Sequence, residues 1–207
     1  MCIRDSSYLD HRVHTEEEVR EHLNHTERAT IAQHGYGLKS FRRSLVRCFE
    51  ELTVEPVTAE KHERIVSFVE SIAEQEIELL PGVAETLAAL SARHRILLVT
   101  KGDPQEQTDK LMRSGLAPFF QEIEVLAEKN EDAYRRLTQQ HGLQGGSAWM
   151  VGNSPRSDIN PALAAGLNAV FIPHDFTWVL EQETVNAPAK GQELLELGRF
   201  AELVEHF

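Results

Sequence analysis

The sequence is poor in the features that mark several protein classes. It has two cysteines in 207 residues, Cys2 and Cys48, and neither belongs to a CxxC pair or a Cys/His cluster. A disulfide framework is therefore not indicated, and we predict a cytoplasmic, reduced protein. No apolar run approaches the ~20 residues that span a bilayer. The sequence also lacks a His-Glu-x-x-His motif, which disfavours a zinc enzyme, and its Gly145-Gly146 pair is a loop rather than a phosphate-cradling GxGxxG.

Positive charge is also scarce. Lysine and arginine number 21 against 33 acidic residues, which gives a formal net charge of -12. This balance argues against nucleic acid and against an anionic membrane as partners. It leaves room for a small anionic substrate, because a pocket can be locally basic inside an acidic surface.

The pattern along the chain indicates two parts and an anomalous start. We expect residues 1–10 to be a non-native or disordered start, because they fit poorly with the helical pattern of the residues after them. Residues 11–77 read as an all-helical unit. From residue 78 to 207, apolar strands alternate with helices, which predicts an α/β fold with a parallel sheet covered on both faces. The last stretch, 194–207, has apolar residues at helical spacing and is predicted to be a helix.

Polar residues stand at the ends of three successive predicted strands. Thr100 and Lys101 end the first, Lys129 follows the second, and Asn153 and Asp158 follow the third. The carboxyl ends of parallel strands meet at one edge of a sheet, so these side chains can converge on one pocket. Hydroxyl and ammonium groups suit phosphate oxygens, while carboxylate and amide oxygens suit Mg²⁺.

Each of these residues also has a simpler interpretation. Thr100 fits a plain strand-end or capping hydroxyl, and an isolated Lys129 fits a solvated surface lysine. Asp158 fits an acid favoured by the dipole of a helix N-terminus. Their ordered occurrence at three strand ends is what favours a common site.

Three of these segments resemble known motifs. Val99-Thr100-Lys101-Gly102-Asp103, Ala127-Glu128-Lys129-Asn130 and Met150-Val151-Gly152-Asn153-Ser154, continued by Ser157-Asp158-Ile159, look like motifs two, three and four of haloacid dehalogenase-like (HAD) hydrolases. The resemblance implies a Rossmann-like core with an inserted helical cap. It also implies roles: catalytic for Thr100 and Lys129, substrate-binding for Lys101, Gly102 and Ser154, and Mg²⁺-binding for Asp158 and Asn153.

The chain departs from the family pattern at two points. Asn153 stands where an aspartate is usual, and an uncharged amide should hold Mg²⁺ more weakly. More seriously, the family's Asp-x-Asp motif after an apolar first strand has no counterpart, because Asp5 and Asp10 follow no such strand. In the family that strand is the centre of the sheet, so the strands ending at Thr100 and Val151 are expected to lack their shared neighbour.

The leading hypothesis is a Mg²⁺-dependent HAD phosphatase that acts on a small phosphorylated metabolite through an aspartyl-phosphate. On this hypothesis the chain is N-terminally truncated and inactive as written. Two alternatives stay open: a non-catalytic HAD-fold binding protein, and a member of the haloacid dehalogenase branch. The identity of the substrate and the oligomeric state are not readable from the residues.

Overall fold

The computed structural model describes residues 14–54 and 56–207, and the predicted start at residues 1–10 lies outside that range. The chain divides into two compact units, one ending at Ile77 and one beginning at Glu78. The first contains helices α1 (Glu16–His34), α2 (Leu38–Leu52) and α3 (Ala59–Glu74). Within the described ranges, no helix has both the length and the hydrophobicity that crossing a membrane requires.

The helical unit forms because its sequence supplies both caps and apolar stripes. Thr15 caps α1 in a reciprocal capping box with Glu18, and Thr58 caps α3. Residues spaced three and four apart on the helices bury a common core made of Leu23, Leu45, Cys48, Ile65 and Val69.

The second unit alternates helices and strands, as the sequence predicts. Its α-helices and strands are α4 (Val83–Ser91), β1 (Leu97–Lys101), α5 (Pro104–Ser114), β2 (Glu122–Leu126), α6 (Glu131–His141), β3 (Trp149–Gly152), α7 (Asn160–Ala164), β4 (Asn168–Phe171) and β5 (Leu194–Glu196). 3₁₀ turns occur at Ala117–Phe119, Gly145–Ser147, Val179–Glu181 and Phe200–Glu205, and a π-helical turn spans Pro155–Ile159. The α/β fold with parallel strands is therefore confirmed.

One local prediction is wrong. The helix predicted over 194–207 is instead β5, which pairs with β4 in register Val170↔Leu195, followed by the 3₁₀ turn at Phe200–Glu205. Pairing with the edge of β4 outweighs the local helical spacing of apolar residues. After β3, Ser154 caps the π-helical turn by accepting a hydrogen bond from the Ser157 amide, 2.9 Å away.

The strands form two separate parallel sheets. One sheet has the order β1-β2, and the other has the order β3-β4-β5. Among the residues that the structure describes, β2 is the only strand that pairs with β1, and β4 is the only strand that pairs with β3. The expectation that the strands ending at Thr100 and Val151 lack their shared neighbour stays a prediction.

A largely apolar cavity of about 730 Å³ is lined by residues of both β1 and β3. Side chains of α4, among them Leu87 and Leu90, and of α6, among them Tyr134 and Leu137, complete its walls. The cavity is thus bounded by strands of both sheets and by the helices α4 and α6.

Candidate active site

The carboxyl ends of β1, β2 and β3 are connected by side-chain hydrogen bonds. Lys101, the last residue of β1, donates from Nζ to Ser157 Oγ at 2.7 Å. Lys129, just after β2, donates from Nζ to Asp158 Oδ1 at 2.7 Å. Both acceptors lie on the π-helical turn that follows β3. The structure therefore brings Lys101, Lys129, Ser154 and Asp158 to one edge of the unit.

The Lys129–Asp158 ion pair is nearly buried. The side chains are 11% and 8% exposed, respectively. The second carboxylate oxygen of Asp158 accepts a hydrogen bond from the backbone amide of Ser154 at 3.0 Å. Buried charges of this kind are tolerated only when they are paired and hydrogen-bonded, as both oxygens of Asp158 are here.

The turn after β3 has the residues that this arrangement needs. Ser154 caps it, and the backbone amide of Asp158 donates to the carbonyl of Ser154 at 2.8 Å. Gly152 is required for a steric reason, because a Cβ at this position would overlap the carboxylate of Asp158. The sequence Gly-Asn-Ser therefore lets Asp158 fold back against the end of β3.

Lys101 is held by three acceptors. Its Nζ lies 3.1 Å from Glu128, 2.7 Å from Ser157 and 2.8 Å from Glu181. An ammonium group has three N–H donors, so these contacts with described residues are already enough to use them. The residue predicted to bind substrate is thus engaged with protein acceptors in this structure.

Glu181 is a member of this cluster that the sequence did not indicate. It lies on the 3₁₀ turn after β4, is 13% exposed, and accepts hydrogen bonds from Lys101 and, at 2.6 Å, from Ser154 Oγ. Burial raises the pKa of Glu181, but hydrogen bonds from Lys101, Ser154 and Ser157 outweigh that effect and hold the pKa below its usual value. No local motif marks this residue, because its role depends on a contact across the fold.

The other predicted site residues have different partners. Thr100 donates from Oγ1 to the Gln107 side chain at 3.0 Å. Gly102 has φ +147°, and a Cβ there would come within 2.8 Å of the same Gln107 side chain. Asn153 donates from Nδ2 to Thr177 at 2.8 Å. Gln107, on α5, is therefore the neighbour of Thr100 and Gly102, while the loop after β4 orients the Asn153 amide.

Tyr134 stabilises the π-helical turn that follows β3. Its phenol donates to the Ser157 carbonyl at 2.9 Å. Burial raises the pKa of this phenol, and the charges of Asp158 and Glu181 raise it further. Tyr134 therefore stays protonated and acts as a hydrogen-bond donor.

The oxygen donors at this edge fit Mg²⁺ in kind but are few. Asp158 offers a carboxylate and Asn153 an amide, which are ligand types that Mg²⁺ accepts. No cluster of three or more His, Cys, Asp or Glu side chains suited to a metal occurs within the described ranges. A complete cation site therefore needs further oxygen ligands, from water, from the substrate or from another carboxylate.

Comparison with known proteins identifies the family. A model of the haloacid dehalogenase-like hydrolases matches residues 7–166, which is more than half of the chain. The chain belongs to this family. A haloacid dehalogenase-like hydrolase from Xanthomonas campestris has a similar structure, with a TM-score of 0.74 and 34% identity over 83% of this chain and 70% of that one.

Similar characterised proteins include two phosphatases. N-acylneuraminate-9-phosphatase of Rattus norvegicus is 33% identical over 100 residues, which are 46% of this chain and 40% of that protein. Glyceraldehyde 3-phosphate phosphatase of Methanothermobacter thermautotrophicus is 29% identical over 135 residues, which are 60% of this chain and 57% of that protein. The matched region is thus less than two thirds of the length of either relative.

Proposed function

We propose that this protein is a Mg²⁺-dependent phosphatase acting on a small phosphorylated metabolite. The observation that carries the proposal is the buried Lys129–Asp158 pair beside the Ser154 amide, at the carboxyl edge of parallel strands. A cation, a carboxylate and a hydroxyl in one cluster suit phosphoryl transfer, which depends on positioning and charge stabilisation. The phosphatase activities of the two relatives support the same reaction class.

Each residue of the site has a role in this proposal. Thr100 and Ser154 donate hydrogen bonds to the phosphoryl oxygens, and the Lys129 ammonium neutralises charge on the reacting groups. Lys101 and Gly102 complete the substrate contacts. Asp158 and Asn153 hold Mg²⁺, which when bound supplies additional positive charge next to the phosphoryl group.

Residues 14–54 and 56–207 contain no Asp-x-Asp, and on this proposal we assign the nucleophile to an additional strand between β1 and β3. The 730 Å³ cavity lined by both strands supports this assignment. An aspartate at the end of that strand would attack phosphorus as the bond to the leaving oxygen breaks. A second aspartate would protonate the leaving oxygen, and water would then hydrolyse the aspartyl-phosphate.

The experiment compares the chain as written with a version that carries an added N-terminal strand. The addition is a five-residue apolar strand, matching β1 in length, followed by Asp-x-Asp. A matched control carries Asn in place of the first aspartate. We measure Mg²⁺-dependent release of phosphate from an aryl phosphate.

We expect turnover only with the complete Asp-x-Asp, and we expect Asp158→Ala to abolish it. Turnover by the chain as written that is lost on Asp158→Ala would contradict the assignment of the nucleophile to an added strand. If the extended chain folds but never turns over, while the original chain is equally stable, a non-catalytic binding protein is the better description.

A further inference from the structure

We propose that the carboxylate of Glu181 competes with a substrate phosphoryl group for the same hydrogen-bond donors and leaves them when that group binds. This inference rests on the substrate-binding role proposed for Lys101 and Ser154. It adds a residue to the site and makes substrate binding an exchange of one anion for another.

Glu181 bonds to two of the proposed substrate-binding residues at once. One oxygen of Glu181 accepts from Lys101 Nζ at 2.8 Å, and the other accepts from Ser154 Oγ at 2.6 Å. The carboxylate thus bridges the end of β1 and the turn after β3. A phosphoryl group presents oxygens with the same acceptor chemistry and can bridge the same two donors. The two anions therefore compete for one pair of hydrogen-bond donors.

The hydrogen-bond donors of Lys101 are already used by protein acceptors. Its contacts with Glu128, Ser157 and Glu181 already use the three donors of an ammonium group, so a phosphoryl oxygen has to compete with the present acceptors for Lys101. Only Glu181, among these three acceptors, is also an anion bonded to Ser154. Displacing it releases both substrate-binding donors together.

The negative charges around the two lysines oppose the binding of a phosphoryl group. Glu128, Asp158 and Glu181 contribute three negative charges beside the two lysines, Lys101 and Lys129. With Glu181 in place, an incoming dianion meets an acidic cluster. Movement of the 3₁₀ turn at Val179–Glu181 would remove one negative charge and expose the two donors.

The test measures binding of inorganic phosphate to the full chain by calorimetry, in the presence of MgCl₂. Glu181→Gln keeps the shape of the side chain but removes its charge. Glu183→Gln is the matched control, because this exposed glutamate is two residues away and contacts Asn160 rather than the lysines. Circular dichroism verifies that each variant is folded, and Glu181→Ala serves as a second variant should the amide disturb the turn.

We expect Glu181→Gln to bind phosphate about tenfold or more tightly than the unmodified chain, because one charge-assisted competitor is lost. Glu183→Gln should bind like the unmodified chain. Equal or weaker binding by both Glu181 variants, including no binding at all, would overturn the inference.

A further substitution separates this inference from the proposed function. In the Glu181→Gln background, Lys129→Met should abolish the gain if phosphate binds at the proposed catalytic site. Tight binding that does not depend on Lys129 would support competition by Glu181 while contradicting the assignment of Lys129 to phosphoryl transfer.

Discussion

Replacing Lys129 with methionine tests whether its pairing with Asp158 holds the carboxyl edge of the core together. Methionine retains much of the volume but removes the ammonium. Asp158 would stay almost buried, with the hydrogen bond from the Ser154 amide but without the contact at 2.7 Å. Removing one partner of a buried ion pair costs about 3–5 kcal/mol, because the other charge is left uncompensated. We expect the free energy of unfolding to fall by that amount.

Urea unfolding monitored by tryptophan fluorescence measures this loss. Both tryptophans, Trp149 and Trp178, belong to the second unit, so the signal reports unfolding of the part that contains the pair. Arg135→Met is the control, since it breaks an exposed pair with Glu131 whose side chains are 55% and 47% exposed. Exposed helical pairs contribute less than about 1 kcal/mol.

The losses of unfolding free energy in Lys129→Met and Arg135→Met are then compared. A loss for Lys129→Met no larger than that for Arg135→Met would refute the claim that the pair is buried and stabilising. Adding Asp158→Asn to Lys129→Met should recover part of the lost stability, because no unpaired carboxylate then remains in the interior.

Three further predictions concern single positions. Gly152→Ala should destabilise the second unit by about 1–3 kcal/mol in urea unfolding, because its Cβ overlaps Asp158; an unchanged midpoint would argue against that close approach. Burial, together with neighbouring acids, raises the pKa of the Cys48 thiol to about 12, so Cys48 should react with a thiol reagent near neutral pH only as fast as the helical unit opens. This is measured in a variant whose other cysteine is serine, and immediate reaction would contradict it. Burial also raises the pKa of Glu27 from 4.5 to about 7, so the folded state binds more protons than the unfolded state between these values. The thermal stability of the helical unit should therefore fall as pH rises from 4.5 to 7, and Glu27→Gln, but not Glu21→Gln, should flatten that slope.

The sequence predicts the second unit well wherever local chemistry decides the structure. Asn130 caps α6, Gly115 ends α5 in a left-handed conformation, and apolar runs give buried parallel strands. The same rule that predicts parallel strands predicts that Lys129 and Asp158 meet, because both follow strands at one edge. Their hydrogen bond agrees with that expectation, although the catalytic roles of both residues stay predictions.

Other features depend on contacts that no local pattern encodes. Glu181 joins the site only because the loop after β4 returns to the end of β1. The neighbour of Thr100 is Gln107, which lies on the next helix and has no motif of its own. The sequence does not predict β5, because Leu194 and Leu197 fit the spacing of a helix. In the structure this segment instead pairs with β4 as a parallel strand.

The divided sheet links the stability of the core to its chemistry. At the carboxyl end, Lys101 and Lys129 donate hydrogen bonds to the turn after β3. Deeper in the unit, Val99 of β1, Leu126 of β2 and Met150 of β3 pack against one apolar cluster that includes Tyr134 and Leu137. The middle is the apolar cavity, bordered by strands that pair on one side only in the described part of the chain. On the proposed function, an additional strand would lie between these two strand edges and cover apolar surface that the cavity leaves accessible. Because that strand would also carry the nucleophile, restoring it should improve stability and catalysis together.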